Sequence, residues 1–135
     1  MIRVLLDTSA YSAFLRDHPD VGGALQKADE ICLTPVVLGE LLAGFMRGKQ
    51  RKKNEGELHR FLSSPRVNVL GVDQDTAERY AIIMHALRNA GTPIPINDVW
   101  IAASAMQHGL RVLTTDAHYH KVSQVVVDFF ASSSI

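Results

Sequence analysis

Short apolar runs recur along the chain, each followed by a segment with helical spacing, and this alternation constrains the fold more than any other feature. The runs are "IRVLL" at residues 2–6, "ICL" at 31–33, "VNVLGV" at 67–72, "RVLTT" at 111–115 and "VVVDF" at 125–129. Brief, nearly continuous apolar runs bounded by turn residues suit strands buried on both faces rather than strands with one wet face. Strands of this kind alternating with amphipathic helices predict an α/β architecture, with a mostly parallel central sheet covered by helices on both faces. A chain of 135 residues has the size of one compact domain. No repeat or linker divides it, so residues 1–135 are read as a single domain.

Local signals place the helices. A first helix is expected from about Ser9 to Arg16 with Ser9 as its N-cap, broken by "DHPD", and a short second one through "VGGALQKA". Thr34 as N-cap and Pro35 at the first helical position start a third, with Gly48 near its end. "NEGELHRFL" suggests a fourth. Asp73 or Asp75 opens a long helix stopped by Gly91, the prolines keep "GTPIPIN" extended, and Asn97 caps a helix through "DVWIAASAMQH" that ends at Gly109.

The placement of the acids is the chief functional signal. In a parallel sheet the residue just after a strand lies at the carboxyl edge, where crossover helices begin and ligand sites form. Asp7 follows the first strand, Asp116 follows "RVLTT", Asp98 opens the helix leading into that strand, and Glu40 lies five residues beyond Pro35. Taken singly, Asp7 reads equally as a helix cap, Asp98 as a dipole-favoured residue in a first helical turn, and Asp116 as a turn residue. Glu40 sits in "VVLGELLAGFM", apolar on nearly all sides, which predicts a buried carboxylate needing a distant Arg or a metal. Together the four are expected to meet at one rim, where a cluster of acids repels itself unless a cation neutralises it. Hard oxygen ligands of this kind suit Mg²⁺ or Mn²⁺.

Composition narrows the setting. Fourteen basic residues balance fourteen acidic ones, so net charge does not mark a nucleic-acid binder. Arg47, Lys49, Arg51, Lys52 and Lys53 nevertheless form a basic run, read either as a solvated connection between helices or as a phosphate-contacting patch. Cys32 is the single cysteine, in an apolar run that predicts a buried structural thiol. The apolar runs are too short to cross a bilayer and the N-terminus reads as a first strand, which together predict a cytoplasmic protein without membrane contact.

"LLDTSAYSAFL", "VVLGELLAGF", "GTPIPINDVWIAASAMQHGL" and "VLTTDAHYHKV" together resemble a PIN domain, specifically the VapC-type toxin ribonucleases of bacterial toxin–antitoxin pairs. The resemblance spans nearly the whole chain and implies a three-layer α/β/α fold. It implies an acidic quartet of Asp7, Glu40, Asp98 and Asp116, with Thr114, Asn97 and Ser9 at accompanying polar positions. Asp7, Asp98 and Asp116 would hold Mg²⁺ (or Mn²⁺), Glu40 would complete the site or orient water, and the activity would be metal-dependent endoribonuclease cleavage. A VapB-type antitoxin and a homodimer are implied as partners besides the RNA substrate. His118 stands where many PIN domains carry a further acid, and with His120 and Asp116 it also invites a zinc reading. A PIN fold kept only as an RNA- or protein-binding module is the alternative. A haloacid-dehalogenase-like phosphatase is disfavoured because Ser9 stands where its second Asp is needed.

Overall fold

The structure, a computed structural model, describes residues 1–132. Five strands form one sheet in the order β3-β2-β1-β4-β5, and every pairing is parallel. They are β1 (Arg3–Leu6), β2 (Glu30–Leu33), β3 (Val67–Val69), β4 (Arg111–Thr114) and β5 (Val127–Phe129). The helices are α1 (Thr8–Leu15), α2 (Pro19–Lys27), α3 (Pro35–Arg47), α4 (Arg51–Leu62), α5 (Gln74–Ala90) and α6 (Ile96–His108), with a 3-10 turn at Ala117–Lys121. The mostly parallel sheet expected from the sequence is wholly parallel.

The strand order sets the layers. From β1 the chain steps outward to β2 and β3, then returns across β1 to β4 and β5. Right-handed crossovers therefore put the first two connections on one face of the sheet and the β3–β4 connection on the other. On the first face, Tyr11 and Phe14 of α1 pack on Phe61 of α4, with ring centroids 5.2 and 5.5 Å away. On the second, Tyr80 of α5 stacks on Trp100 of α6 at 4.1 Å. Val4, Leu5, Leu6, Ile31, Leu33, Val112 and Leu113 fill the sheet between them, each almost wholly buried. Cys32 is buried there too, and burial pushes its thiol up to about 11, so it stays protonated and inert.

Several helix ends match the sequence and several do not. Thr34 caps α3 ahead of Pro35, and Asp73 makes a capping box with Thr76 at the start of α5. Gly91 and Gly109 close α5 and α6 in the left-handed conformation, at φ 67° and 64°. The expected Ser9 cap is corrected: the cap stands two residues earlier, at Asp7, which accepts from the Ala10 N–H and starts α1 at Thr8. The expected Asn97 cap is corrected as well. Pro95 precedes the first turn of α6 and Asn97 lies inside it, its side chain drawn off to Glu40. Helix α2 starts at Pro19, two residues before the expected segment, because His18 Nδ1 accepts from the Val21 N–H.

Helix α3 departs most from expectation. Only Val37, Leu41 and Phe45 are buried, a single stripe, while Leu42 and Met46 are 38% and 59% exposed. Glu40 is therefore half-buried rather than enclosed. The helix packs against both α1 and α6, at the rim where the two helical layers approach each other.

Candidate active site

The strand order reverses between β1 and β4, the topological switch point at which open α/β sheets leave a crevice beyond their carboxyl ends. The Asp7 N–H donates to the Leu113 carbonyl at 3.3 Å, which ties the two strand ends together. The Asp7 carboxylate is 1% exposed and accepts from Ser9 Oγ at 2.8 and 2.9 Å, from the Ala10 N–H at 2.8 Å and from Thr114 Oγ1 at 2.6 Å. Ser9 Oγ in turn accepts from the Thr115 N–H at 3.0 Å, so one hydroxyl bridges the ends of β1 and β4. Burial raises the Asp7 pKa to about 6; the hydrogen bonds from Thr114, Ala10 and Ser9 pull it down, and the neighbouring Asp116 adds a smaller upward push.

The other acids surround the same crevice, a cavity of about 580 Å³ lined by Asp7, Glu40, Asp98 and Asp116 together with Thr8, Ser9, Asn97 and His118. Among the described residues, no Lys or Arg lines it. Asp98 stands in the first turn of α6, where the helix dipole favours an anion. Its two oxygens accept from His118 Nε2 at 2.6 Å and from the Tyr119 hydroxyl at 3.0 Å. Burial raises the Asp98 pKa; Tyr119 and His118 work against that rise, and Glu40 adds to it. Glu40 accepts from the Thr8 hydroxyl and, at 3.1 Å, from the Asn97 amide, neutral donors on α1 and α6. The Asp116 N–H donates to Thr114 Oγ1 at 2.9 Å, so the hydroxyl that holds Asp7 also positions Asp116.

A PIN-domain family model matches residues 4–125. The chain is similar to ribonuclease VapC4 of Mycobacterium tuberculosis, 32% identical over 127 residues that cover 93% of this chain and 95% of that protein. The chain belongs to the PIN-domain family, in its VapC branch. Among solved structures, this PIN domain superposes on VapBC-5 of Mycobacterium tuberculosis, a member of the VapBC family of toxin–antitoxin systems. The TM-score is 0.69 at 28% identity, over 95% of this chain and 97% of that one. It also superposes on VapBC2 from Rickettsia felis, crystallised with a DNA fragment from the promoter, with a TM-score of 0.84 at 24% identity over 95% and 98% of the two chains. That second likeness speaks to the fold alone.

The donor set of this PIN domain fits a divalent cation. One ligand atom each from Asp98, Asp116 and His118 lie within 4.8 Å of one another, two carboxylate oxygens and an imidazole nitrogen. Asp7 lines the same cavity but is not in that close group, its oxygens being held by Ser9, Ala10 and Thr114. His120, the other histidine of the turn, is exposed and rests edge-on against Phe129 at 5.4 Å, so the close group pairs His118 with Asp98 rather than with His120. Thr8 and Tyr119 are the two site residues that sequence reasoning did not single out. Thr8 adjoins Asp7, and Tyr119 places a hydroxyl at a fully buried position where an apolar ring would suffice for packing, which is the signal it offers.

The basic run is divided by the structure. Arg47 ends α3, while Arg51, Lys52 and Lys53 are the first three residues of α4, all exposed. Cations there oppose the helix dipole, and Gln50 makes no side-chain cap. Among the described residues Arg51 alone of the three has an ion-pair partner, Glu55 at 3.0 Å.

Proposed function

We propose that this PIN domain is a divalent-metal-dependent endoribonuclease of the toxin type, working through Asp7, Glu40, Asp98 and Asp116 and held in check by a VapB-type antitoxin. One observation carries the reading. Four carboxylates from four separate segments line one cavity, and among the described residues no Lys or Arg lines it with them. Such a cluster stores repulsion that a cation relieves, and a surface built only to bind RNA gains nothing from it. RNA is the substrate class because the VapC relatives of this chain are named ribonucleases.

Each residue then has a task. Asp98 and Asp116 would present oxygens to the cation, and Asp7 would add the third carboxylate from the buried end of the cavity. A divalent cation such as Mg²⁺ or Mn²⁺ held there would supply an acidified water as nucleophile and charge neutralisation at the scissile phosphate. Ser9, Ala10 and Thr114 keep Asp7 fixed, and Tyr119 fixes Asp98, so the acids are arranged before substrate arrives. Glu40, held by Thr8 and Asn97, faces the cavity as an acceptor that orients water and takes its proton.

The antitoxin follows from likeness to VapBC-5, a toxin–antitoxin system. Homodimer formation is supported by Leu42 and Met46, two large apolar side chains one turn apart that α3 leaves exposed. The test is Asp98→Asn in the antitoxin-free protein. Cleavage of a mixed RNA pool with Mn²⁺ should be lost while the circular dichroism spectrum and cooperative melting are retained. Cleavage at the wild-type rate by a folded Asp98→Asn protein refutes the reading.

A further inference from the structure

His118 is the residue of this cavity that the acidic quartet leaves without a task. It lies on the 3-10 turn two residues beyond Asp116, with its side chain 26% exposed and Nε2 directed at Asp98 Oδ2 at 2.6 Å. The turn is anchored by the Val122 N–H donating to the Tyr119 carbonyl at 3.0 Å, and by Tyr119 itself, whose side chain is fully buried. The His118 ring lies tilted against Tyr119 with centroids 5.1 Å apart. Two histidines share the turn, yet His120 turns outward to Phe129 and His118 turns in.

Resting on the metal-dependent reading above, we propose that His118 is itself a metal ligand beside Asp98 and Asp116, and that its nitrogen makes the site select Mn²⁺ over Mg²⁺. The ligand atoms of the three residues lie within 4.8 Å of one another. Donors about 2.1 Å from one ion are at most about 4.2 Å apart, so only a small closure of the group is needed. In the metal-free chain Nε2 carries the hydrogen that Asp98 accepts. To hold a cation the neutral ring would shift its single hydrogen from Nε2 to Nδ1 through solvent, freeing the Nε2 lone pair, and Asp98 would exchange that hydrogen bond for the ion. The chemical consequence is selectivity. Mg²⁺ demands oxygen ligands in near-ideal octahedral geometry and gives up water reluctantly. Imidazole suits Fe²⁺, Ni²⁺ and Zn²⁺ best, and Mn²⁺, at the weak end of that first-row series, takes a nitrogen donor more readily than Mg²⁺ does. An aspartate at this position would make an all-oxygen set; His118 makes a mixed one.

The test uses the full chain, free of antitoxin and of any histidine tag, and reads metal binding rather than cleavage. Mn²⁺ affinity is measured by electron paramagnetic resonance, Mg²⁺ affinity by competition, and direct nitrogen ligation by pulsed detection of ¹⁴N coupling to bound Mn²⁺. Wild-type protein should show the ¹⁴N coupling. His118→Gln should lose it and lower the ratio of Mn²⁺ to Mg²⁺ affinity by roughly 10-fold or more. His118→Asp should raise Mg²⁺ affinity, and His120→Gln should leave coupling and ratio as they were. Mn²⁺ bound without nitrogen coupling, with the ratio unmoved in His118→Gln, overturns the proposal and leaves the metal-dependent reading standing. Failure of the wild type to bind Mn²⁺ at all overturns both.

Discussion

Asp7→Asn should stabilise the metal-free protein above neutrality, although it removes a member of the proposed catalytic quartet. In the folded chain Asp7 holds its proton up to about pH 6, against 3.8 for an ordinary aspartate. A carboxylate raised in this way contributes stability that is fully present below its unfolded pKa and is lost as pH rises through the folded value. The loss therefore begins above pH 3.8 and is complete above about pH 6. The gap corresponds to roughly 3 kcal/mol at pH 7 to 8, a ceiling on what neutralisation can restore. Asparagine keeps the N-cap acceptor for the Ala10 N–H, and its amide can donate to Thr114 Oγ1, so most hydrogen bonding survives. For a chain of this length, roughly 3 kcal/mol is a rise of about 10 °C in Tm. The assay is thermal and urea unfolding of both proteins with chelator present, at pH 5 and pH 8. The variant should melt higher at pH 8 and the difference should shrink at pH 5. Saturating Mn²⁺ should stabilise the wild type, by about 2.7 kcal/mol at a hundred times Kd, and the variant much less. A variant less stable than wild type at pH 8 with chelator, or a difference independent of pH, refutes the account of Asp7 as a charge buried at a cost.

Tyr119→Phe keeps the buried ring and deletes only the hydroxyl that holds Asp98 Oδ1, so Mn²⁺ affinity measured calorimetrically should fall roughly 10-fold with little change in unfolding midpoint. An unaltered affinity would show that the hydroxyl does not position Asp98. Replacing Arg51, Lys52 and Lys53 with glutamine should weaken binding of single-stranded RNA to a cleavage-dead protein, and should reduce the slope of log affinity against log salt by about 2. A slope equal to the wild type's returns the three to the role of a solvated helix start. Because they oppose the α4 dipole, the same substitution should raise the unfolding free energy slightly, by less than about 1 kcal/mol per charge.

The architecture was legible because period and punctuation are local. Five apolar runs separated by helical patterns allow few arrangements other than a parallel sheet with covered faces, and Gly91, Gly109, Thr34 and Asp73 mark helix ends by their own backbone chemistry. The convergence of Asp7, Glu40, Asp98 and Asp116 was legible for a related reason: strand ends and helix starts share one edge of such a sheet, so position along the chain implies position at the rim.

What the sequence could not determine is how polar groups choose among partners once they meet. Ser9 and Asn97 are good caps by composition, but the fold offers Ser9 the Asp7 carboxylate and the Thr115 N–H, and offers Asn97 the carboxylate of Glu40. Asp7 then takes the cap that Ser9 leaves. Helix α3 looks buried from its residues alone, yet only the stripe facing its neighbours is covered, because burial depends on what lies opposite each face. The inward turn of His118 and the outward turn of His120 are likewise decided by contacts 20 and 9 residues away in sequence, with Asp98 and Phe129. The sequence by itself determined the layers, the edge and the acids that reach it. Tertiary structure alone decided which hydrogen bonds hold them, which are buried, and which donors stand close enough to share an ion, because those depend on distances between segments that local propensity does not encode.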